Sequence, residues 1–178
     1  KDYIVGDASD NRIYAGDHDD TISSGNGNDI LWGDSGNDGL TAGNGDDTLI
    51  GGTGNDALTG GKGTDTYVFN KGFGTDRITE IIGESSRILL ADINQDDVLI
   101  RRSRYNYNQN FFVYVKSTGD SLAVSNAFGT EKINHHYTIQ FADGSEWDMD
   151  EIIRQAQIPT NSREELFADL GNNSLNGS

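Results

Sequence analysis

The sequence has no cysteine, one proline and one methionine, and few basic residues: 13 Lys and Arg stand against 29 Asp and Glu in 178 residues. Without cysteine, disulfides, thiol nucleophiles and Cys-zinc sites are excluded. The formal charge of −16 argues against nucleic acid or an anionic membrane surface as a main partner. No apolar run approaches the roughly 18 residues of a membrane span, and no signal-peptide pattern appears. With 23 glycines beside the single proline, the chain is neither collagen-like nor a proline-rich linker. His-Glu-x-x-His and Gly-x-Ser-x-Gly are missing as well, so the chain alone is expected not to be an enzyme. Its length suits one domain with tails. It starts and stops mid-pattern, and so reads as a piece of something larger.

Glutamate is missing where acid is densest. Residues 1–70 hold 13 Asp, 3 basic residues and no Glu, and 15 of the glycines lie between Gly6 and Gly63. Use of the shorter acid alone, beside glycine, points to turns with a geometric demand. Cutting residues 6–68 every nine gives GDASDNRIY, AGDHDDTIS, SGNGNDILW, GDSGNDGLT, AGNGDDTLI, GGTGNDALT and GGKGTDTYV. The sixth column reads Asn11, Asp20, Asp29, Asp38, Asp47, Asp56, Asp65, and the eighth Ile13, Ile22, Leu31, Leu40, Leu49, Leu58, Tyr67. Asp2 and Ile4 continue both columns backwards. Asp76 and Ile78 continue them forwards after a two-residue insertion, Phe69 and Asn70.

This pattern, G-G-x-G-x-D-x-U-x, resembles the calcium-binding nonapeptide of the RTX (repeats-in-toxin) haemolysin-type family. The fold expected is all-β: a right-handed parallel β-roll, then a β-rich C-terminal cap with one short helix. Physically, three residues such as Thr48-Leu49-Ile50 form a short strand with the middle side chain inward. The six before them form a turn that needs glycine. Two repeats make one 18-residue coil, and coils stack at about 4.8 Å. One large apolar residue per nine is too little to offset roughly 1–2 kcal/mol of backbone entropy per residue. Stacked turns also crowd carboxylates. A hard divalent cation resolves both problems, and calcium suits oxygen ligands in flexible geometry better than magnesium.

The resemblance implies about five Ca2+ ions, each between turns 18 residues apart. One turn would give the carbonyls of its second and fourth positions plus its Asp; the next, those of its first and third plus its Asp. The sites so implied are Gly25, Gly27 and Asp29 with Ala42, Asn44 and Asp47, and Asp34, Gly36 and Asp38 with Gly51, Thr53 and Asp56. Gly43, Gly45 and Asp47 would join Gly60, Lys62 and Asp65. Gly16, His18 and Asp20 would join Gly33, Ser35 and Asp38, with His18 offering only its carbonyl. Gly52, Gly54 and Asp56 would join Lys71, Phe73 and Asp76. Asn11 opposite Asp29 should make a weaker site, and Arg87 should mark where metal binding stops.

Later pieces resemble the region that follows RTX repeats: Asp65-Thr66-Tyr67-Val68-Phe69, Leu90-Ala91-Asp92-Ile93 and Phe141-Ala142-Asp143-Gly144. Alternation predicts strands near 87–91, 97–102, 111–116, 121–125 and 137–141. Asp148 or Asp150 should cap a helix through about Gln157, with Ile152, Ile153 and Ala156 on one face and Pro159 beyond its end. Phe111, Phe112, Tyr114, Phe128, Phe141 and Trp147 should fill the cap's core. Expected units are therefore a roll over 1–80, a cap over 81–157, and a linker with the start of a degenerate repeat over 158–178. His135-His136 would face opposite ways in a strand, which argues against a shared metal. Arg101-Arg102-Ser103-Arg104 followed by Tyr105 to Asn108 reads as a strand end and solvated loop.

The resemblance implies a calcium-binding module of a secreted bacterial toxin, extended without calcium, folding outside the cell and supporting type I secretion. Its partners would be calcium, the secretion machinery through the parent, and a host-cell or glycan target, with no nucleic acid; the fragment itself would be monomeric. The alternatives are a calcium-rigidified adhesin module binding a glycan or peptide, and an accessory module of a secreted protease, lipase or epimerase.

Overall fold

The computed structural model describes residues 1–80, 85–102, 110–125, 127 and 136–156. Its strands, in order, are β1 (Tyr3–Val5), β2 (Arg12–Asp17), β3 (Thr21–Asn26), β4 (Ile30–Ser35), β5 (Gly39–Asn44), β6 (Thr48–Thr53), β7 (Ala57–Lys62), β8 (Asp65–Phe69), β9 (Thr75–Thr79), β10 (Ser85–Leu90), β11 (Val98–Arg102), β12 (Phe111–Val115), β13 (Ser121–Ser125), β14 (His136–Gln140) and β15 (Glu146–Trp147). A 3-10 turn at Gln95–Asp97 precedes β11, and one helix, α1 (Met149–Ala156), closes the described chain.

Strands alternate between two sheets. One runs β1-β3-β5-β7-β9-β13-β12-β11, the other β15-β14-β10-β8-β6-β4-β2. Pairing is parallel and steps by 18 residues: Leu31 lies opposite Leu49, and Leu40 opposite Leu58. The chain is a β-solenoid of about five turns. Between the sheets run Ile22, Leu31, Leu40, Leu49, Leu58 and Tyr67, all 1% exposed or less. An apolar side chain every nine residues thus reaches the interior from each sheet in turn.

The strands of the roll are mostly six residues long, not the three expected. After Trp32 opposite Ile50, pairing skips one residue and resumes with Asp34 opposite Gly52 and Ser35 opposite Thr53. The bend occurs at positive φ, +72° at Asp34 and +107° at Gly52. A free turn would leave its backbone N–H and C=O groups without partners, whereas a turn stacked on its neighbour satisfies them.

The parallel pattern runs on beyond the repeats. β10 pairs with β8, β14 with β10, and β13 with β9, all parallel. It gives way to antiparallel pairing at β11-β12-β13 and at β14-β15. The interior widens there. Phe141 meets Trp147 edge-on at 4.6 Å, and Phe111 meets Tyr137 at 5.7 Å. Phe111, Phe141 and Trp147 are buried as expected. Phe112 and Tyr114 are not core residues. They are half-buried and stack at 6.2 Å on the outer face, because alternation along β12 sends them opposite to Phe111 and Val113. Asp148 caps α1, its Oδ1 accepting the Glu151 N–H at 2.9 Å. Ile152 is fully buried, with Ile153 and Ala156 packed partly against the core. Phe128, His135, Gln157, residues 103–108 of the basic loop and the expected linker 158–178 lie outside the described residues. No helix among the described residues is long and apolar enough to cross a membrane.

Candidate metal centre

The turns between strands stack in two rows. One carries Asn11, Asp29, Asp47 and Asp65; the other carries Asp2, Asp20, Asp38, Asp56 and Asp76. Asp20, Asp29, Asp38, Asp47, Asp56, Asp65 and Asp76 are each buried, at 2% exposure or less. Their two oxygens have different fates. Oδ1 accepts the backbone N–H of the sixth-column residue one coil earlier: Asp29 N–H to Asp47 at 2.7 Å, Asp38 to Asp56 at 2.8 Å and Asp47 to Asp65 at 2.9 Å. Asp56 N–H reaches Asp76 at 2.8 Å across the insertion, a step of 20 residues. Oδ2 of all seven is buried without a hydrogen-bond partner. A buried carboxylate oxygen left unpaired is costly, and seven of them, repeated coil by coil, suit a cation as their partner.

One gap between coils shows what surrounds such an oxygen. A Cβ on Gly52 would collide with the Asp34 carbonyl, and one on Gly54 (φ +141°) would lie 1.7 Å from the Gly36 carbonyl. Both carbonyls therefore face the next coil. A Cβ on Gly33 would strike both the Gly51 carbonyl and Asp38 Oδ2, at 2.4 and 2.5 Å. The Thr53 carbonyl accepts the Gly36 N–H at 3.0 Å, and Asp56 Oδ1 accepts the Asp38 N–H at 2.8 Å. The six oxygens of Asp34, Gly36, Asp38, Gly51, Thr53 and Asp56 thus border one gap.

The other sets stack likewise. Gly25 and Gly27 carbonyls face Gly43 and Gly45. Ala42 O accepts from Ser24 Oγ at 3.0 Å, and Asn44 O from the Gly27 N–H at 2.9 Å. Gly43 and Gly45 carbonyls face Gly61 and Gly63, and Lys62 O accepts from Gly45 N at 2.8 Å. Gly60 lies against Asp65 Oδ2. The exposed His18 takes φ +88°, and its carbonyl faces Gly36. Its N–H donates to Ser35 O at 2.7 Å, while Gly16 lies opposite Asp34. In the last set the Gly54 carbonyl faces Gly74, and Gly54 N–H donates to Phe73 O at 3.1 Å. Lys71 donates its N–H to Asp92 at 2.8 Å. Asn11 Oδ1 is already taken by the Asp7 N–H at 3.0 Å, which leaves that position without a free acid oxygen. Arg87 is exposed on β10 opposite Thr66, in the outward seventh column rather than in the turn.

Electrostatics follow from burial. It pushes Asp38 and Asp47 up to about 6, Asp65 to about 7 and Asp76 to about 8. Neighbouring carboxylates add to this: Asp56 and Asp20 at Asp38, Glu80 and Asp47 at Asp65, Asp56 and Asp120 at Asp76. Asp56 is raised by the same burial. Among the described residues no three His, Cys, Asp or Glu side chains converge on a metal position. A cation in a gap would be held by two carboxylates and backbone carbonyls. Six or more hard oxygens with few charges suit calcium.

Two features were missed in the sequence. The fifth column forms a second clasp running the opposite way. Asn28 N–H donates back to Asp10 Oδ1 at 2.7 Å, Asp46 to Asn28 at 2.9 Å and Thr64 to Asp46 at 2.7 Å. Asp19, Asn37 and Asn55 do the same in the other row. The signal was legible, since that column holds only Asp, Asn and a final Thr, short side chains with an acceptor oxygen. The second feature is a pair of buried acids at the ends of the rows, Glu80 and Asp120, 4% and 7% exposed. Neither falls in a repeat column.

The repeats match the profile described as RTX calcium-binding nonapeptide repeat (4 copies), over residues 1–31, 32–67 and 41–76. Residues 110–151 match that of the haemolysin-type calcium binding protein related domain. The chain belongs to the RTX haemolysin-type calcium-binding family. The RTX match ends at Asp76, the last acid of the columns, and the second match takes in Asp120. Among solved structures the chain is similar to the R3 subunit of a mannuronan C5-epimerase from Azotobacter vinelandii, determined in solution. Identity is 22% over 67% of this chain and 72% of that one, with a TM-score of 0.30. No curated protein matches. The protein is accordingly an RTX calcium-binding module, and its buried, unpartnered Asp oxygens fit the ion that the family binds.

Proposed function

We propose that this chain is a calcium-triggered folding module of a secreted bacterial RTX protein, a toxin by preference, which passes through type I secretion unfolded. The observation that carries this reading is the seven buried Asp Oδ2 atoms without partners, stacked in two rows. At low calcium these charges oppose stacking, and the thin apolar column is too weak to hold the roll. At extracellular calcium the ion neutralises them, and binding energy becomes folding energy. Residues 1–80 form the switch and residues 81–157 its cap, which covers the end of the solenoid as repeat arrays require. Toxin, adhesin and enzyme parents would differ in what they attach to the module; its work is the same in each.

The test is far-UV circular dichroism of the chain in chelator, then with millimolar calcium or magnesium. Sheet signal should be mostly lost in chelator and restored by calcium alone. Equal structure with and without chelator would end the folding-switch reading.

A further inference from the structure

We propose that each row of turns ends in one further divalent-cation site, closed by an acid from outside the repeat columns: Glu80 above Asp65 and Asp120 above Asp76. This rests on the calcium-binding reading and extends it to residues that no repeat pattern assigns. The count is the starting point. Seven Oδ2 atoms are buried and unpartnered, yet the gaps above Asp20, Asp29, Asp38, Asp47 and Asp56 account for only five of them; the gap above Asn11 receives an amide whose oxygen is already taken, and Asp2 is not among the seven. Each of those gaps receives one Oδ2 from below, as Asp38 shows against Gly33 and Gly51. Asp65 and Asp76 are the last acids of their rows. Their Oδ2 atoms are as buried and as unpartnered as the rest, at 0% and 1% residue exposure, with no repeat turn above them.

What lies above them instead is an acid in each case. Over Asp76, β13 stacks on β9, and Asp120 immediately precedes β13. Its carboxylate accepts the Gly72 N–H at 2.7 Å and the Gly74 N–H at 3.1 Å, with Thr118 Oγ1 at 2.6 Å. Gly74 is a fourth-column residue. In lower turns the fourth-column N–H donates to a third-column carbonyl of the next coil, as Gly36 does to Thr53 at 3.0 Å. Asp120 therefore stands where the next turn's oxygens would stand. Over Asp65, the register places Ser86 in the sixth column, and the acid comes from Glu80. Its Oε1 accepts from Tyr67 Oη at 2.6 Å and from Ser86 Oγ at 2.6 Å. A Cβ on Gly60 would lie against both Asp65 Oδ2 and Tyr67 Oη, so the Glu80 partner and the unpartnered oxygen share one gap. Tyr67 takes the place that Leu holds in the preceding coils and adds a hydroxyl oxygen to the same space. Two ionised carboxylates buried face to face repel unless a cation lies between them or one takes up a proton. The donors are hard oxygens, the class that takes calcium.

The experiment counts ions on the whole chain by native mass spectrometry, with equilibrium dialysis against calcium as a second readout. Seven ions per chain are expected, and five would overturn the proposal. Glu80→Gln and Asp120→Asn should each bind one ion fewer while circular dichroism in saturating calcium stays that of the parent chain. A variant that keeps the full count overturns the site in its row. Thr118→Ala removes a donor to Asp120 but leaves the carboxylate, and should keep all seven; a lost ion there would show that the count reports loosened packing, against the proposal. If the unmodified chain binds no calcium at all, the calcium-binding reading itself fails, a result distinct from a count of five.

Discussion

Asp47→Asn separates the two tasks of one side chain. Asp47 Oδ1 accepts the Asp29 N–H at 2.7 Å, and an amide oxygen can do the same. Only the charge is lost, and the structure gives opposite signs to that loss with and without calcium. Without the ion, burial holds Asp47 at about 6 instead of 3.8. The ionised side chain then weakens the roll at neutral pH by up to about 3 kcal/mol, taking 1.36 kcal/mol per pKa unit. The amide removes that penalty. With calcium, Asp47 serves the gap it shares with Asp29 and the one it shares with Asp65. Interactions of charged groups contribute about 1.5–3 kcal/mol each, so losing one in each gap outweighs the relief, and the net loss, shared over the ions that bind together with folding, should raise the calcium needed for half-folding by up to about threefold. Asp10→Asn is the control. Its exposed oxygen clasps Asn28, and Asn28 itself shows that an amide serves in that column. The assay is a calcium titration followed by circular dichroism, with tolerance of the calcium-free form to acid or stabilising osmolyte measured alongside. If Asp47→Asn folds at the same calcium as the parent, the assignment of the sixth column as ligands is refuted.

Acid should partly replace calcium. Asp38, Asp47, Asp65 and Asp76 have values raised to about 6, 6, 7 and 8 in the folded chain. Their contribution to stability is therefore full below about pH 4 and lost as pH rises through 6 to 8; in chelator, sheet signal at dilute concentration should grow as pH falls across that window, and its absence would show that carboxylate repulsion is not what keeps the roll open. Gly54→Ala should abolish calcium-induced folding, since its Cβ would lie 1.7 Å from the Gly36 carbonyl at φ +141°. Gly119→Ala, at φ +82° in open space, should cost only about 1–2 kcal/mol of left-handed strain, read as a modest shift in thermal midpoint in saturating calcium. Residues 1–70 alone should fail to fold in calcium, because they lose Asp76 and the surface of β9 and β10 on which the last coils stack; a cooperative transition at similar calcium would make the cap dispensable.

The period of nine made the roll legible. An unbroken register of Asp and Leu fixes coil length, sheet alternation and the inward column before any coordinates are seen. The ligand sets came with the family resemblance and remain a proposal, supported where carbonyls such as those of Asp34, Gly36 and Gly51 lie beside the neighbouring coil. Strand length was misjudged because apolar alternation says nothing about backbone pairing through the glycines. Phe112 and Tyr114 were misplaced because aromatic content was counted without phase. Asp120 could not be read at all. It acts on Gly72 and Gly74 from 46–48 residues away, and no periodicity links them. Glu80 did carry a signal, as the first glutamate of a chain that had used only aspartate.

Each turn is clasped to its neighbours by bonds that reach 18 residues forward and 18 back. Mechanically this makes the module a stack held at its joints. A pull on its N-terminal end loads one joint at a time, and the outermost coil must yield before the next bears force. Each coil released should convert about 4.8 Å of axial rise into roughly 60 Å of contour. Because the joints carry the ions, the force of each step should follow calcium concentration, and tension at the N-terminus would work against the ion coil by coil.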